Sequence, residues 1–385
     1  MSLLNISNKI EHIYANLFFL FFTAQILSPY IAGRTIYLEV IIAVLNPYFW
    51  KWIYSKNIFC IYKINTKYIF TVLGLVLIAI LGHINTSIKI LVIFFCVIHL
   101  FYLYDKNLWK LNRYLIISIL LGIVQFCFTF IDPLFATTIG PNAISIFIWG
   151  DLATPAFTNF YTIFYFPRVS GLSREAGFFA SYIITVIFLS YLEKNIYNKK
   201  ICLLYFIGYI ISFSKMSLAI IGVFLVNSLR RIINYIPFAI GIIIFISFFS
   251  IAVDFNKTFI LDNDTFLHRF SGYISLYNLD FMDILFGTNV EKIGDYPSKL
   301  IIAGNFTNFT GFSGWIIENG IIVLCIFFTI LYLLGINIVG IYILLLFTIN
   351  VSVDTNQNFV VLTYFIIFKY YTNNIYRLEN YFKLK

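Results

Sequence analysis

Uninterrupted apolar runs separated by short polar breaks dominate this chain from its first residues to its last. Runs without the period-two alternation of a strand read as helices, and those approaching about 20 residues read as membrane spans. The pattern predicts helices near 13–32, 35–50, 68–84, 88–104, 114–131, 177–192, 201–213, 216–229, 235–253, 314–334, 336–350 and 358–371. The expected fold class is all-α, a polytopic helical membrane protein of about twelve spans, with a single integral-membrane domain over 1–385. Two mixed polar and aromatic stretches interrupt the pattern, 132–176 and 254–313, with Pro133, Pro141, Pro155, Pro167 and Pro297 as breakers. Neither heptads nor a repeat of fixed period is visible, and no inverted repeat of the transporter kind.

Composition narrows the class. The chain is 61% hydrophobic and 11% charged, against about 45–50% and about 25% in soluble domains, which leaves little length for a soluble domain. The net charge of +9 is scattered between apolar runs, and without a basic stripe nucleic acid is not an expected partner. The basic residues fit a topology signal instead. With the N-terminus inside, 17 of the 26 Lys and Arg residues fall on the inner side, and every inner turn but 335–336 carries positive charge. Both termini are then cytoplasmic, and the two long stretches lie on the outer face. Lys9 leads into an apolar run with no small-residue cleavage site, so a cleaved leader is not expected. Cys60, Cys96, Cys127, Cys202 and Cys325 lie in or beside apolar runs without a CxxC, and neither a disulfide nor zinc is expected.

The most informative stretch is Pro167-Arg168-Val169-Ser170-Gly171-Leu172-Ser173-Arg174-Glu175-Ala176, just before a predicted span. Two outward arginines run against the positive-inside preference, and a guanidinium fork suits a phosphate or diphosphate. Alternatively, Arg174 pairs with Glu175 or snorkels to headgroups. Trp149, Tyr161, Tyr165 and Tyr296 are placed either to stack on sugars or to anchor at the membrane interface. Within the apolar runs, Glu39 is placed to pair with Arg34, and His99 to bond a neighbouring helix. Asp262-Asn263-Asp264 reads as a loop turn, and neither metal nor cofactor is expected.

Four segments taken together resemble the O-antigen polymerase and O-antigen ligase superfamily, in family order over roughly residues 160–335. In the first, Arg168, Ser170, Gly171, Leu172, Glu175, Phe178 or Phe179, Ala180 and Tyr182 match, with Ala176 where proline is common. The second is the turn Phe213-Ser214-Lys215-Met216-Ser217. The third is His268-Arg269-Phe270 leading to Leu285-Phe286-Gly287-Thr288-Asn289, where Asn289 replaces a final glycine. The fourth is Gly314-Trp315-Ile316-Ile317-Glu318-Asn319-Gly320-Ile321. Ligases and many polymerases of that family carry a histidine before the late glutamate. Asn308-Phe309-Thr310 stands there instead, which weighs against a ligase.

The resemblance implies a metal-independent membrane glycosyltransferase of the bacterial cytoplasmic (inner) membrane, with its site facing the periplasm. Its donor and acceptor would be oligosaccharide repeat units on polyprenyl diphosphate, its surroundings membrane lipids, and a chain-length regulator a further partner. Arg168, Arg174 and Arg269 would meet the charge of the departing diphosphate. Glu175 would serve as base or would orient Arg174, and His268 would take over a base role. Lys215, Tyr182, Asn308 and Glu318 complete the candidates, as substrate-binding residues. The alternatives are an O-antigen ligase and, in another class, a polyprenol-linked glycan flippase or transporter, for which charge would line the spans.

Overall fold

The computed structural model describes residues 3–31, 34–56, 66–154, 168–193, 199–214, 220–261, 264–276, 279–288, 311–349 and 351–372. In chain order the helices are α1 (Leu3–Thr23), α2 (Leu38–Leu45), α3 (Pro47–Ser55), α4 (Thr66–Ile80), α5 (Ile84–Ile131), α6 (Pro133–Thr138), α7 (Pro141–Trp149), α8 (Ala176–Glu193) and α9 (Lys199–Ile211). They continue with α10 (Gly222–Ser228), α11 (Arg230–Ile233), α12 (Phe238–Phe255), α13 (Lys257–Leu261), α14 (Asp264–Leu276), α15 (Phe281–Phe286), α16 (Gly311–Leu333), α17 (Ile338–Phe347) and α18 (Asn358–Tyr370). Strand pairing among the described residues amounts to an antiparallel ladder of Tyr30–Ile31 with Arg34–Thr35 and one bridge between Ile336 and Thr372.

Five segments among the described residues are long and apolar enough to cross a membrane: Ile84–Tyr104, Lys110–Ile131, Ala176–Glu193, Phe238–Phe255 and Gly311–Leu333. Four shorter apolar helices accompany them. On α12 the buried residues are Gly241, Phe245 and Val253, while Ile243, Phe248 and Phe255 are exposed. A helix so apolar on its open face calls for hydrocarbon around it.

Local chemistry accounts for several departures from the sequence pattern. The predicted run 35–50 is split into α2 and α3 at Asn46, whose Oδ1 accepts from the amides of Tyr48 and Phe49 while Pro47 takes the first helical position. In 132–176, Pro133 and Pro141 start short helices rather than only breaking structure, and Asp132 caps the first of them. The first helix runs earlier than predicted, over Leu3–Thr23, and gives way to a single 3₁₀ turn at Gln25–Leu27.

The 48-residue α5 would be about 72 Å long if straight, more than twice a bilayer core. Its contacts exclude a rod. His99 lies against Phe18, and Tyr102 donates to Glu11, so numbers fall along α1 as they rise along α5. Lys110 then reaches His12, and Ser118, through Leu172, reaches Ile26 near the opposite end of α1. The two apolar halves therefore run in opposite senses along α1, and the chain doubles back between Tyr104 and Lys110.

The chain forms two compact units. One comprises 1–59, 94–221 and 356–365, the other 60–93, 222–355 and 366–385. In the first, the His99 ring packs 4.4 Å from Phe18 and 4.7 Å from Phe49, with Nε2 3.2 Å from Asn46 Nδ2. This is the bond to a neighbouring helix expected of His99. In the second unit, α4, α14 and α15 all pack on α16, and Phe249 stacks on Phe270 and Tyr273 between α12 and α14.

Gly320 breaks α16 with φ 77° and ψ 169°. A Cβ there would stand 2.6 Å from the carbonyl carbon of Phe286, against the backbone that leads into Gly287. Gly320→Ala is expected to cost about 2–4 kcal/mol through left-handed strain and overpacking. Gly222→Ala is the control, since its new methyl meets only Leu346 at 3.7 Å. Thermal unfolding in detergent should show a lowered Tm for the first variant alone; equal Tm values would contradict this account of the break.

Candidate functional site

The first unit organises the stretch 168–175 against four neighbouring segments. Ser118 Oγ accepts from the Leu172 amide at 2.9 Å, and the Leu172 carbonyl accepts from Ile26 N at 3.5 Å. The Val169 amide donates to the Ile211 carbonyl at 3.3 Å. This close approach needs Gly171, at φ 54°, because a Cβ would stand 2.6 Å from both Ser118 O and Ser118 Oγ. So fixed, the stretch holds both arginines. Arg168 Nε donates to the Ser212 carbonyl at 3.4 Å, and Arg174 Nη1 donates to Thr35 Oγ1 at 3.2 Å. Glu175 is half-buried and precedes α8, its carbonyl accepting from the Phe179 amide.

Buried polar atoms without partners occur in this stretch and next to Ile26, which contacts it. Ser170 Oγ, Gln25 Oε1 and Gln25 Nε2 are all buried and unbonded, an arrangement that proteins seldom tolerate without a ligand or water. Tyr182, read from the sequence as substrate-binding, is fully buried, with its hydroxyl 3.2 Å from Thr23 Oγ1 and its ring edge-on to Phe22. Trp149 gives its indole N–H to the Leu27 carbonyl at 2.9 Å.

The second unit gathers the later segments on α16. His268 and Arg269 belong to α14; the Arg269 carbonyl accepts from Ser313 Oγ at 2.9 Å, where α14 crosses the start of α16. Arg269 also lines a crevice of about 10 Å³ with Phe249, Phe270, Tyr273, Phe312 and Ile349, room for about one water and too small for a sugar. Gly287 follows α15 and seats on the backbone of Glu318 and Asn319, with the Thr288 amide donating to the Ile317 carbonyl at 2.9 Å. The segments bearing Arg269, Gly287 and Glu318 are thus brought together on one helix. Arg168, Arg174, Glu175 and Tyr182 belong to the other unit. Lys215, Asn308, Tyr161, Tyr165 and Tyr296 lie outside the described residues, as do Asp262 and Asn263 and the side chain of His268.

A further polar group in the second unit escaped the sequence reading. Lys89 Nζ lies 3.4 Å from Asp354 Oδ2; the Lys89 side chain is 52% exposed and that of Asp354 2%. Asp354 Oδ1 and Trp315 Nε1 are both buried without a hydrogen bond. The indole N–H is close enough to favour the Asp354 charge yet outside hydrogen-bond geometry. Glu318, exposed, is within electrostatic range of both Asp354 and Lys89. Burial pushes the Asp354 carboxyl above the usual range, while Lys89 pulls it back. Two sequence signals pointed here: an acidic residue in the polar run after 350, and a lysine just inside the predicted span 88–104.

Among the described residues, no three His, Cys, Asp or Glu side chains cluster as a metal site would require. Comparison with protein-family models, with curated proteins and with solved structures finds no match.

The Asp354 shift has a definite sign. A carboxyl raised in the folded state favours its neutral form there, so its contribution to stability falls as pH rises through the ordinary carboxylate range and stays low above the raised value. Asp354→Asn removes that dependence. Melting curves in detergent from pH 4 to pH 8 should show wild type losing ground to the variant as pH rises; parallel curves would mean that Asp354 titrates as an ordinary carboxylate.

Proposed function

We propose that this chain polymerises oligosaccharide repeat units carried on polyprenyl diphosphate, at the outer face of a bacterial cytoplasmic membrane. The observation that carries the reading is the convergence of two of the four resembling segments, the one bearing Arg269 and Gly287 and the one bearing Glu318, at α16. The first segment, around Arg168, is held with one guanidinium on the Ser212 carbonyl and the other on Thr35 Oγ1.

In this reading a hydroxyl oxygen of the acceptor sugar attacks the anomeric carbon of the donor glycan. The new C–O bond forms as the bond to the diphosphate oxygen breaks, and the hydroxyl proton passes to a carboxylate, with Glu175 the first choice. Polyprenyl diphosphate leaves with the electron pair. Diphosphate is already a good leaving group, so the protein's main task is to supply positive charge where negative charge develops. Arg168 and Arg174 in one unit, and separately Arg269 in the other, are the candidates for that role, each with a planar guanidinium fork that a lysine does not reproduce.

Polysaccharide ladders on gels test this directly in cells deleted for the gene and complemented with variants. Deletion should leave glycan capped by a single repeat unit, and wild type should restore the ladder. Arg168→Lys and Arg269→Lys should insert normally yet lower polymer formation about 10²-fold, the scale of losing one donor to developing charge. A normal ladder in the deletion strain would remove the reading, and long unattached lipid-linked chains would make the protein a ligase. Full activity in both arginine variants would leave them as anchors.

Topology is tested separately. Cysteines placed near Asn142 and Asp262 should be labelled from outside, and cysteines near Lys56 and Lys199 should be protected. The reverse pattern would turn the protein over and put both long stretches in the cytoplasm.

A further inference from the structure

We propose that residues 229–236, the link between α10 and α12, form a seat for an anionic phospholipid, a contact independent of whatever reaction the protein carries out. The link contains α11 (Arg230–Ile233). Its Leu229 carbonyl accepts from the Ile232 amide at 2.9 Å, and its Ile232 carbonyl accepts from the Tyr235 amide at 3.1 Å. Residues bonded at that spacing fall in line, so Leu229, Ile232 and Tyr235 share one edge. All three are exposed, Ile232 at 67% and Tyr235 at 89%. Arg230 and Arg231 flank the edge and are exposed too. Neither guanidinium has a hydrogen bond or ion pair among the described residues.

Packing on α17 holds this edge in place. Upstream, α10 and α11 both lie against α17. There α10 buries Val223 and Asn227, and Asn227 Oδ1 accepts from the Tyr371 hydroxyl at 2.6 Å. Downstream, the Gly241 carbonyl of α12 accepts from the Tyr342 hydroxyl of α17 at 2.9 Å. With both ends of the link fixed, the arginines and the apolar edge are presented together.

Solvation decides where such a patch can lie. Water is a poor neighbour for Ile232 and Tyr235, and hydrocarbon a poor one for two arginines; the headgroup layer suits both. α12 begins at Phe238, three residues after Tyr235, and its open face of Ile240, Ile243 and Phe248 continues the apolar surface toward the acyl chains. Charge then selects the lipid. No acidic residue occurs between Glu193 and Asp254. The link therefore offers guanidinium forks to a phosphate but no local carboxylate to the ammonium of a zwitterionic lipid. A lipid of net negative charge meets no such mismatch. A free phosphate would satisfy the arginines and leave the apolar edge bare.

The test uses purified full-length protein in detergent carrying Tyr235→Trp, with the wild-type signal subtracted so that the added indole alone is read. Phosphatidylglycerol with brominated chains, which quench a nearby indole, is titrated into the micelles, and brominated phosphatidylcholine is the comparison. Quenching should reach its midpoint at a phosphatidylglycerol content about twentyfold below that for phosphatidylcholine, at about fivefold for each arginine. Arg230→Gln with Arg231→Gln should abolish the preference and leave the Tm in lipid-free detergent unchanged, because both side chains are exposed. Should that pair lower the Tm, high salt makes the same comparison on the intact arginines by screening them. Equal quenching by the two lipids, or a preference that survives both in the double variant and at high salt, overturns the inference. Displacement of the brominated lipid by an equal concentration of inorganic phosphate overturns it as well, since the seat would then take any anion.

Discussion

A backbone or side-chain polar group left unmade in hydrocarbon costs several times what it costs beside water, and this constraint is visible at several joints among the described residues. Helix interiors satisfy themselves, so the difficulty concentrates where helices end and the chain must turn. At those places short-range ties appear: Asn46 capping α3, Ser118 receiving the Leu172 amide, and the Thr288 amide meeting the Ile317 carbonyl. Glycine recurs there because the ties demand close backbone approach. Gly171 lets the arginine-bearing stretch settle on Ser118, and Gly320 lets α16 break where Gly287 arrives. Remove either approach and the residues it positions lose their frame.

Against that background, the polar atoms that remain unsatisfied stand out. Ser170 Oγ and the Gln25 side-chain amide near the arginine stretch, and Asp354 Oδ1 in the second unit, are among the buried atoms without a hydrogen bond in the described residues. The same physics that makes such groups expensive makes them good binding sites, since a ligand that completes them recovers the penalty. The two settings differ in charge. Guanidiniums from Arg168 and Arg174 mark the first, whereas an acidic residue tied to one lysine marks the second.

Apolar runs were legible as helices because hydrophobic continuity is local, and segments such as Ala176–Glu193 and Gly311–Leu333 were read within a few residues of their ends. The split at Asn46-Pro47 was also present in the chemistry, as a cap followed by a proline, but apolar continuity on both sides masked it. The twelve expected spans met a different limit. Length and composition single out five segments among the described residues, and several apolar runs are too short or too broken to qualify alone. What the pattern did not carry was pairing at a distance. Lys89 and Asp354 lie 265 positions apart, and nothing in either neighbourhood names the other. Tyr182 is a further case of distant pairing: its hydroxyl lies 3.2 Å from Thr23 Oγ1, 159 positions away.

The account depends on the outgoing diphosphate, so its most direct measurement follows that group. Purified protein in liposomes would be given lipid-diphosphate-linked repeat units. Released polyprenyl diphosphate would then be counted against the length of the glycan formed. The prediction is chains of many repeat units with one diphosphate released for each unit joined, and loss of both with Arg168→Lys. Intact substrate carried across the bilayer with no diphosphate released would contradict the account and identify a transporter.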